Sequence, residues 1–221
     1  MAPELRETFA HELKKLEEKI LEMGDAVKKM LAGGVTAFRK KDEAGLDSVV
    51  DMDDVVDKYN LEIETRCLEL IALQQPMAKD LRTIASIMRM INDIERMGDY
   101  SVDIAKFMKK MIEEEILPLS EKIAGIEKVV EKMLNETVQA FIKRDLKLVS
   151  EMIKDDDIVD DSFHSLFEEV VAEINKNPAI ARSAIYLILI ARYYERIADH
   201  ITNVGERIYY METGVLKELH V

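Results

Sequence analysis

Glu95, Asp99 and Asp103 recur at every fourth residue of the stretch Glu95-Arg96-Met97-Gly98-Asp99-Tyr100-Ser101-Val102-Asp103. On a helix that spacing puts them in one slowly drifting row of carboxylates. Like charges so placed destabilise an isolated helix by roughly a few tenths of a kcal/mol per pair. About a hundred residues later the chain reads Glu195-Arg196-Ile197-Ala198-Asp199-His200-Ile201-Thr202-Asn203, with the same Glu-Arg-x-small-Asp core. A costly feature written twice calls for something that offsets the repulsion, and a hard cation is the simplest candidate.

A further acidic group is duplicated. Asp53, Asp54 and Asp57 have counterparts in Asp156, Asp157 and Asp160, again with four-residue steps between Asp53 and Asp57 and between Asp156 and Asp160. Carboxylate oxygens in that number suit magnesium, manganese, calcium or ferric iron, not a metal that favours thiolates. Four or more carboxylates per site exceed what one ion usually needs, which suggests two or more ions sharing bridging carboxylates. A single acidic pair reads as a solvated face; duplication on both participating helices argues for a site. Arg96 and Arg196 either neutralise the rows from inside or pair with them as surface ions of little worth. His11, His164, His200 and His220 read as surface or edge residues rather than ligands, with His200, beside Asp199, having the best claim among them. The methionines read as core filler.

The elements that must hold these acids follow from apolar periodicity. Leu5, Phe9, Leu16, Ile20, Met23, Val27, Met30 and Phe38 recur at three- and four-residue steps and predict one long helix to about Arg39. Its glycines, Gly24, Gly33 and Gly34, invite a bend or a close helix contact. Asp42 caps a second helix with Leu46, Val49, Val56, Ile63, Cys67 and Leu70 on its apolar line. Gln74-Gln75-Pro76 stops it, and Pro76 starts a third helix that buries Leu81, Ile84, Met88, Ile91, Ile94 and Val102. After Leu117-Pro118-Leu119-Ser120 the pattern begins again: a fourth helix to Lys143, a fifth after Asp145, a stop at Asn175-Lys176-Asn177-Pro178, and a sixth to about Met211. Val35-x-Ala37-Phe38-x-Lys40-x-Asp42 matches Val138-x-Ala140-Phe141-x-Lys143-x-Asp145. The expectation is an all-α fold, a tandem repeat of two antiparallel three-helix bundles divided at 116/117, with six long helices and bundles about 50 Å long. Antiparallel packing should carry the aspartate cluster and the Glu/Asp row to the same end of each bundle.

Composition narrows the function. The 221 residues carry a net charge of -13, and no basic cluster exists to displace the counterions of a nucleic acid. No apolar run reaches the roughly 18 to 20 residues of a membrane span, and the N-terminus lacks a signal-peptide pattern. Cys67 is the only cysteine, so no intrachain disulfide forms and a reducing cytoplasm fits. Nucleophile–base pairs and Gly-rich phosphate loops are absent, so hydrolase or kinase chemistry has no residues to carry it. Free phosphate would be repelled by a bare carboxylate face and would need cations bound first.

Together, the tandem architecture, Leu73-Gln74-Gln75-Pro76-Met77-Ala78-Lys79-Asp80-Leu81-Arg82, Asp93-Ile94-Glu95-Arg96-Met97-Gly98-Asp99 and the Glu195–Asn203 stretch resemble the PhoU family over nearly the whole chain. The resemblance implies a cytoplasmic, homodimeric, non-enzymatic negative regulator of phosphate uptake and the phosphate-starvation response. It implies as partners the ATPase subunit of a phosphate ABC transporter and a sensor histidine kinase. It also makes the repeated acidic element a metal-binding signature, for iron, manganese, magnesium or zinc in multinuclear form, with Asp53, Asp54, Asp57, Glu95, Asp99 and Asp103 in one site and Asp156, Asp157, Asp160, Glu195, Asp199 and Asn203 in the other. The chain departs from the pattern at Tyr100, where His is frequent, at Asn203, which replaces the third acid, and at Lys154, which aligns with Asp51. The C-terminal site is therefore expected to bind metal more weakly. The competing reading is a carboxylate-bridged di-metal redox protein of the ferritin-like kind, but such proteins use Glu-x-x-His on bundle helices and none occurs here. A purely structural helical spacer is the third.

Overall fold

The computed structural model describes residues 3–114 and 120–217. The expected division at 116/117, the Leu117-Pro118-Leu119 stop and His220 lie outside them. The helices are α1 (Pro3–Lys40), α2 (Glu43–Asp51), α3 (Asp53–Gln74), α4 (Ala78–Met111), α5 (Ser120–Lys143), α6 (Leu146–Lys176) and α7 (Ala181–Thr213), with one 3-10 turn, Pro178–Ile180, before α7. The fold is the all-α tandem of antiparallel bundles: α1, α2, α3 and α4 pack together, as do α5, α6 and α7.

The stops are built as the side chains dictate. Asp42 is extended (φ -95, ψ 93) and its Oδ1 accepts from Gly45 N at 3.0 Å; Asp145 caps α6 in the same conformation, accepting from Lys147 N at 2.9 Å. Pro178 occupies the first position of the 3-10 turn, where its missing N–H is not needed. Pro76 sits instead in the turn after Gln75, whose backbone is left-handed (φ 46), and α4 begins at Ala78.

The second helix differs from the expected continuous rod. It divides into α2 and α3 at Met52, yet Met52 keeps helical angles (φ -70, ψ -15) and Val55 N still donates to its carbonyl at 3.0 Å. The break is therefore a local adjustment in one helical rod, placed one residue before the aspartate cluster. The glycines of α1 produce no interruption: Gly24 faces open space, while Gly33 lets Val49 of α2 approach. The predicted apolar lines are the core, with Leu16, Met23, Met30, Val56, Ile63, Cys67, Ile84, Ile91, Met152 and Leu166 all buried. Each such side chain contributes about 1.5–3 kcal/mol by leaving water. Leu81 is an exception, 41 % exposed at the start of α4, near Met77 and Leu73, which are more open still.

The most extensive helix interface is between α4 and α7, one from each half. Asp93 meets His200, Tyr100 meets Tyr193 and Phe107 meets Tyr186, so the two helices run antiparallel with partners advancing a heptad at a time. That register sets the Glu95–Asp99 and Glu195–Asp199 motifs level with each other, at mid-length of their helices. The acids are thus at the middle of the molecule, not at one end of each bundle, because α3 and α6 lie along the outer flanks of this central pair.

Candidate functional site

In the first half, α3 brings Asp53 and Asp57 against the α4 row. Gly98 makes the approach possible: a Cβ there would lie 3.2 Å from Val56 Cγ1 and 3.5 Å from Asp53 Oδ1. Burial, helped by the charges of Asp57, Asp99 and Asp54, pushes the Asp53 carboxyl up; burial and the charges of Asp99, Asp57 and Asp53 push Glu95 up, against the pull of Arg96. Asp53, Asp57, Glu95 and Asp99 therefore share one electrostatic field across two helices. Asp53 Oδ1 is buried without a hydrogen bond, which leaves a lone pair of a charged group unsatisfied in a low-dielectric setting.

The second half repeats the arrangement. Glu195 on α7 is 9 % exposed, Asp156 on α6 is buried, and Glu195 lies in the field of Asp199 and Asp160. Burial first, then Asp199, raises the Glu195 carboxyl against the opposing Arg192 and Arg196. Its Oε2, like Asp53 Oδ1, is buried without a hydrogen bond.

The arginines of the two motifs act alike. Arg96 Nη1 donates to Asp99 Oδ2 at 2.8 Å and its Nε lies 3.7 Å from Glu95 Oε2; Arg196 reaches Asp199 Oδ2 at 3.2 Å and Glu195 Oε2 at 3.9 Å. Both are exposed, so each is a screened surface ion on its carboxylate row. As the side chains stand, no three His, Cys, Asp or Glu groups among the described residues converge on a point that would hold an ion. The donor set nonetheless fits hard cations: each group has excess negative charge and a buried carboxylate oxygen that accepts no hydrogen bond, Asp53 Oδ1 in one and Glu195 Oε2 in the other.

The remaining expected residues are spread around these groups. Asp54 and Asp157 are exposed on α3 and α6; Asp57 is exposed too, yet its charge acts on both Asp53 and Glu95. Asp103 faces Tyr193 across the α4/α7 seam, where its charge adds to the effect of burial in raising that phenol. Asn203 Nδ2 donates to Asp93 Oδ1 at 3.1 Å, and His200 Nδ1 donates to the same oxygen at 2.9 Å. His200 thus joins the halves through Asp93. At the position matching His200 in the first half stands Tyr100, stacked on Tyr193 with ring centroids 5.6 Å apart. The departure from the repeat is matched across the seam: Asp93 opposite His200 at one level, Tyr193 opposite Tyr100 at the next. The sequence carried this signal in the seven-residue spacing of Asp93, Tyr100 and Phe107 and of Tyr186, Tyr193 and His200, which motif reading passed over. His164 is exposed, with Nδ1 2.8 Å from the Asp160 carbonyl oxygen. Cys67 is buried, with its thiol pushed up to about 12 by burial, and is not poised as a nucleophile or ligand.

Among the described residues no helix is long and apolar enough to cross a membrane. The PhoU domain family model matches the chain twice, at residues 20–108 and 123–208. A phosphate-specific transport system accessory protein PhoU homolog of Clostridium acetobutylicum is 32 % identical over 216 residues, covering 97 % of this chain and 99 % of that protein. The homolog of the same description from Aquifex aeolicus is 35 % identical over 211 residues, covering 95 % and 96 %. The crystal structure of PhoU from Pseudomonas aeruginosa superposes with a TM-score of 0.90 at 29 % identity, covering 94 % of this chain and all of that one. The phosphate transport system regulatory protein PhoU from Streptococcus pneumoniae gives 0.89 at 29 % identity over 96 % of this chain.

Proposed function

This chain belongs to the PhoU family, and from that premise we propose that it is a metal-binding accessory protein of phosphate transport that represses the phosphate-starvation response. It acts in the cytoplasm by binding, not catalysis, as a homodimer that engages the ATPase subunit of a phosphate ABC transporter and a sensor histidine kinase. The names of its relatives support the accessory and regulatory part of this reading. The observation that carries the metal part is the doubled acidic group with a buried carboxylate oxygen that accepts no hydrogen bond in each copy.

Asp53, Asp57, Glu95 and Asp99 would hold the cations in the first half, and Asp156, Asp160, Glu195 and Asp199 in the second, while Asp54, Asp103, Asp157 and Asn203 would join only if their side chains moved. Iron, manganese, magnesium and zinc all accept such oxygen ligands. When bound, the ions supply positive charge on which phosphate or a phosphorylated partner could settle. The chain's own residues fix α3 to α4 and α6 to α7 around them. The test is metal content of protein purified without chelator, beside an Asp57→Ala, Asp99→Ala double variant. Less bound metal in the variant is expected; equal content in the two refutes the first site. Co-purification with the transporter ATPase checks the partner reading, and no complex at micromolar concentration, with or without metal, would refute it.

A further inference from the structure

The two acidic groups are equivalent by sequence repeat but differ in the one cation bonded directly to a motif glutamate from a turn away. Arg192 lies one turn before Glu195 on α7, and its Nη1 donates to Glu195 Oε1 in a close ion pair. The guanidinium sits over the ring of Phe163, 5.6 Å from its centroid, so α6 holds it in place by a cation–π contact one turn past Asp160. In the first half the matching positions are Asn92 and Asn60. Asn92 is exposed and its side-chain amide turns back to the Met88 carbonyl at 3.3 Å, so Glu95 has no equivalent partner. Arg96 and Arg196 pair with their rows in the same way and cancel in the comparison. Lys106 also reaches the first group, acting on Asp53 as the smallest of the influences there.

We propose that Arg192, seated on Phe163, is a built-in counter-ion of the second acidic group, so that a carboxylate-seeking cation binds the Asp53/Asp57/Glu95/Asp99 group by preference. This rests on the metal-binding reading above. A cation arriving at Glu195 must first displace a guanidinium already bonded to it, whereas one arriving at Glu95 meets only the exposed Arg96. Arg192 is a specificity-determining residue that touches a ligand carboxylate, and its effect is on which site fills.

The experiment is titration of the full, chelator-treated chain with manganese(II), followed by calorimetry and by the electron paramagnetic resonance signal of free ion. The Asp57→Ala, Asp99→Ala variant identifies the first site. The wild type is expected to show two classes of site, the tighter lost in that variant. Arg192→Gln should tighten the weaker class at least tenfold, and Asn92→Arg, a change at an exposed position, should weaken the tighter class at least tenfold. Equal affinities in the wild type, or no change at the second site in Arg192→Gln, would overturn the inference while leaving metal binding intact. No manganese on the wild type or on either variant sinks the preference and the metal reading together. In metal-free protein Arg192→Gln is expected to lower the melting temperature and Asn92→Arg to raise it; the reverse order would show that Arg192 is not neutralising Glu195.

Discussion

Half-buried and buried carboxylates set the electrostatics of this protein residue by residue. Burial is the largest influence raising Asp53, Glu95 and Glu195, and like charges from the facing helix add to it. A carboxyl with a raised folded-state pKa binds more protons folded than unfolded at intermediate pH, so stability falls as pH climbs from the ordinary carboxylate range through the raised value. The metal-free protein should therefore melt at a higher temperature near pH 5 than near pH 7.5. Saturating divalent cation should narrow or reverse that difference, because it favours the ionised ligands. A metal-free melting curve flat across that window would show that these acids are solvated. Tyr194 supplies a second test at this scale. It is 1 % exposed and its hydroxyl has no hydrogen bond, above a cavity of about 80 Å³ lined by Lys28, Glu127 and Glu131 among others. A buried hydroxyl without a partner contributes no stability, so Tyr194→Phe should be neutral or stabilising within about 1 kcal/mol. A clear loss in melting temperature would reveal a bound water bridging it to Glu127.

Between elements, the sites depend on how closely α3 meets α4 and α6 meets α7. The volumes are exchanged along these interfaces: Gly98 lies under Val56 and Asp53 in the first half where Ala198 stands in the second, and Gly205 lies under Met152 where Ala105 stands in the first. Gly98→Ala gains up to about 1 kcal/mol of helix propensity, but Val56 is fully buried and stiff, and overpacking costs about 1–3 kcal/mol. The expected net loss is about 1 kcal/mol by urea denaturation, with weaker metal binding in the first half because Asp53 is pushed outward. A stabilised variant with unchanged binding would mean that α3 moves freely. Much of this level was legible in the chain: the apolar lines, the Asp42 and Asp145 caps and the pairing of aspartate cluster with acidic row follow from local spacing. What spacing does not encode is the height at which helices of different bundles cross. The acids therefore turned up at mid-length, Leu81 stayed exposed beside a turn rather than under a neighbour, and the break at Met52 had no Gly or Pro to announce it. Asp103 and Asn203 belong by period to the acidic rows, yet the drift of a four-residue step rotates them onto the α4/α7 seam.

For the whole molecule that seam decides whether the repeat behaves as two domains or one. On its buried side Met90, Ile94 and Met97 of α4 and Ile201 and Val204 of α7 line one apolar cavity, and its other side carries Tyr100, Phe107, Tyr186 and Tyr193 in stacked and tilted contact. Ion pairs cross between the halves as well, from Arg39 to Glu127 at 3.6 Å and from Lys79 to Glu212 at 3.1 Å. Either half alone would expose its share of this apolar surface, so the halves should unfold together despite being sequence repeats. The chain has no tryptophan, and three of its seven tyrosines sit on the seam, so tyrosine fluorescence is sensitive to the contact between halves while far-ultraviolet dichroism reports helix everywhere. Coincident midpoints of the two signals in urea are the expected result. Loss of the tyrosine signal at a lower urea concentration than the helix signal would mean that the bundles separate before they melt. A cation site in one half would then have no mechanical route to a partner held by the other.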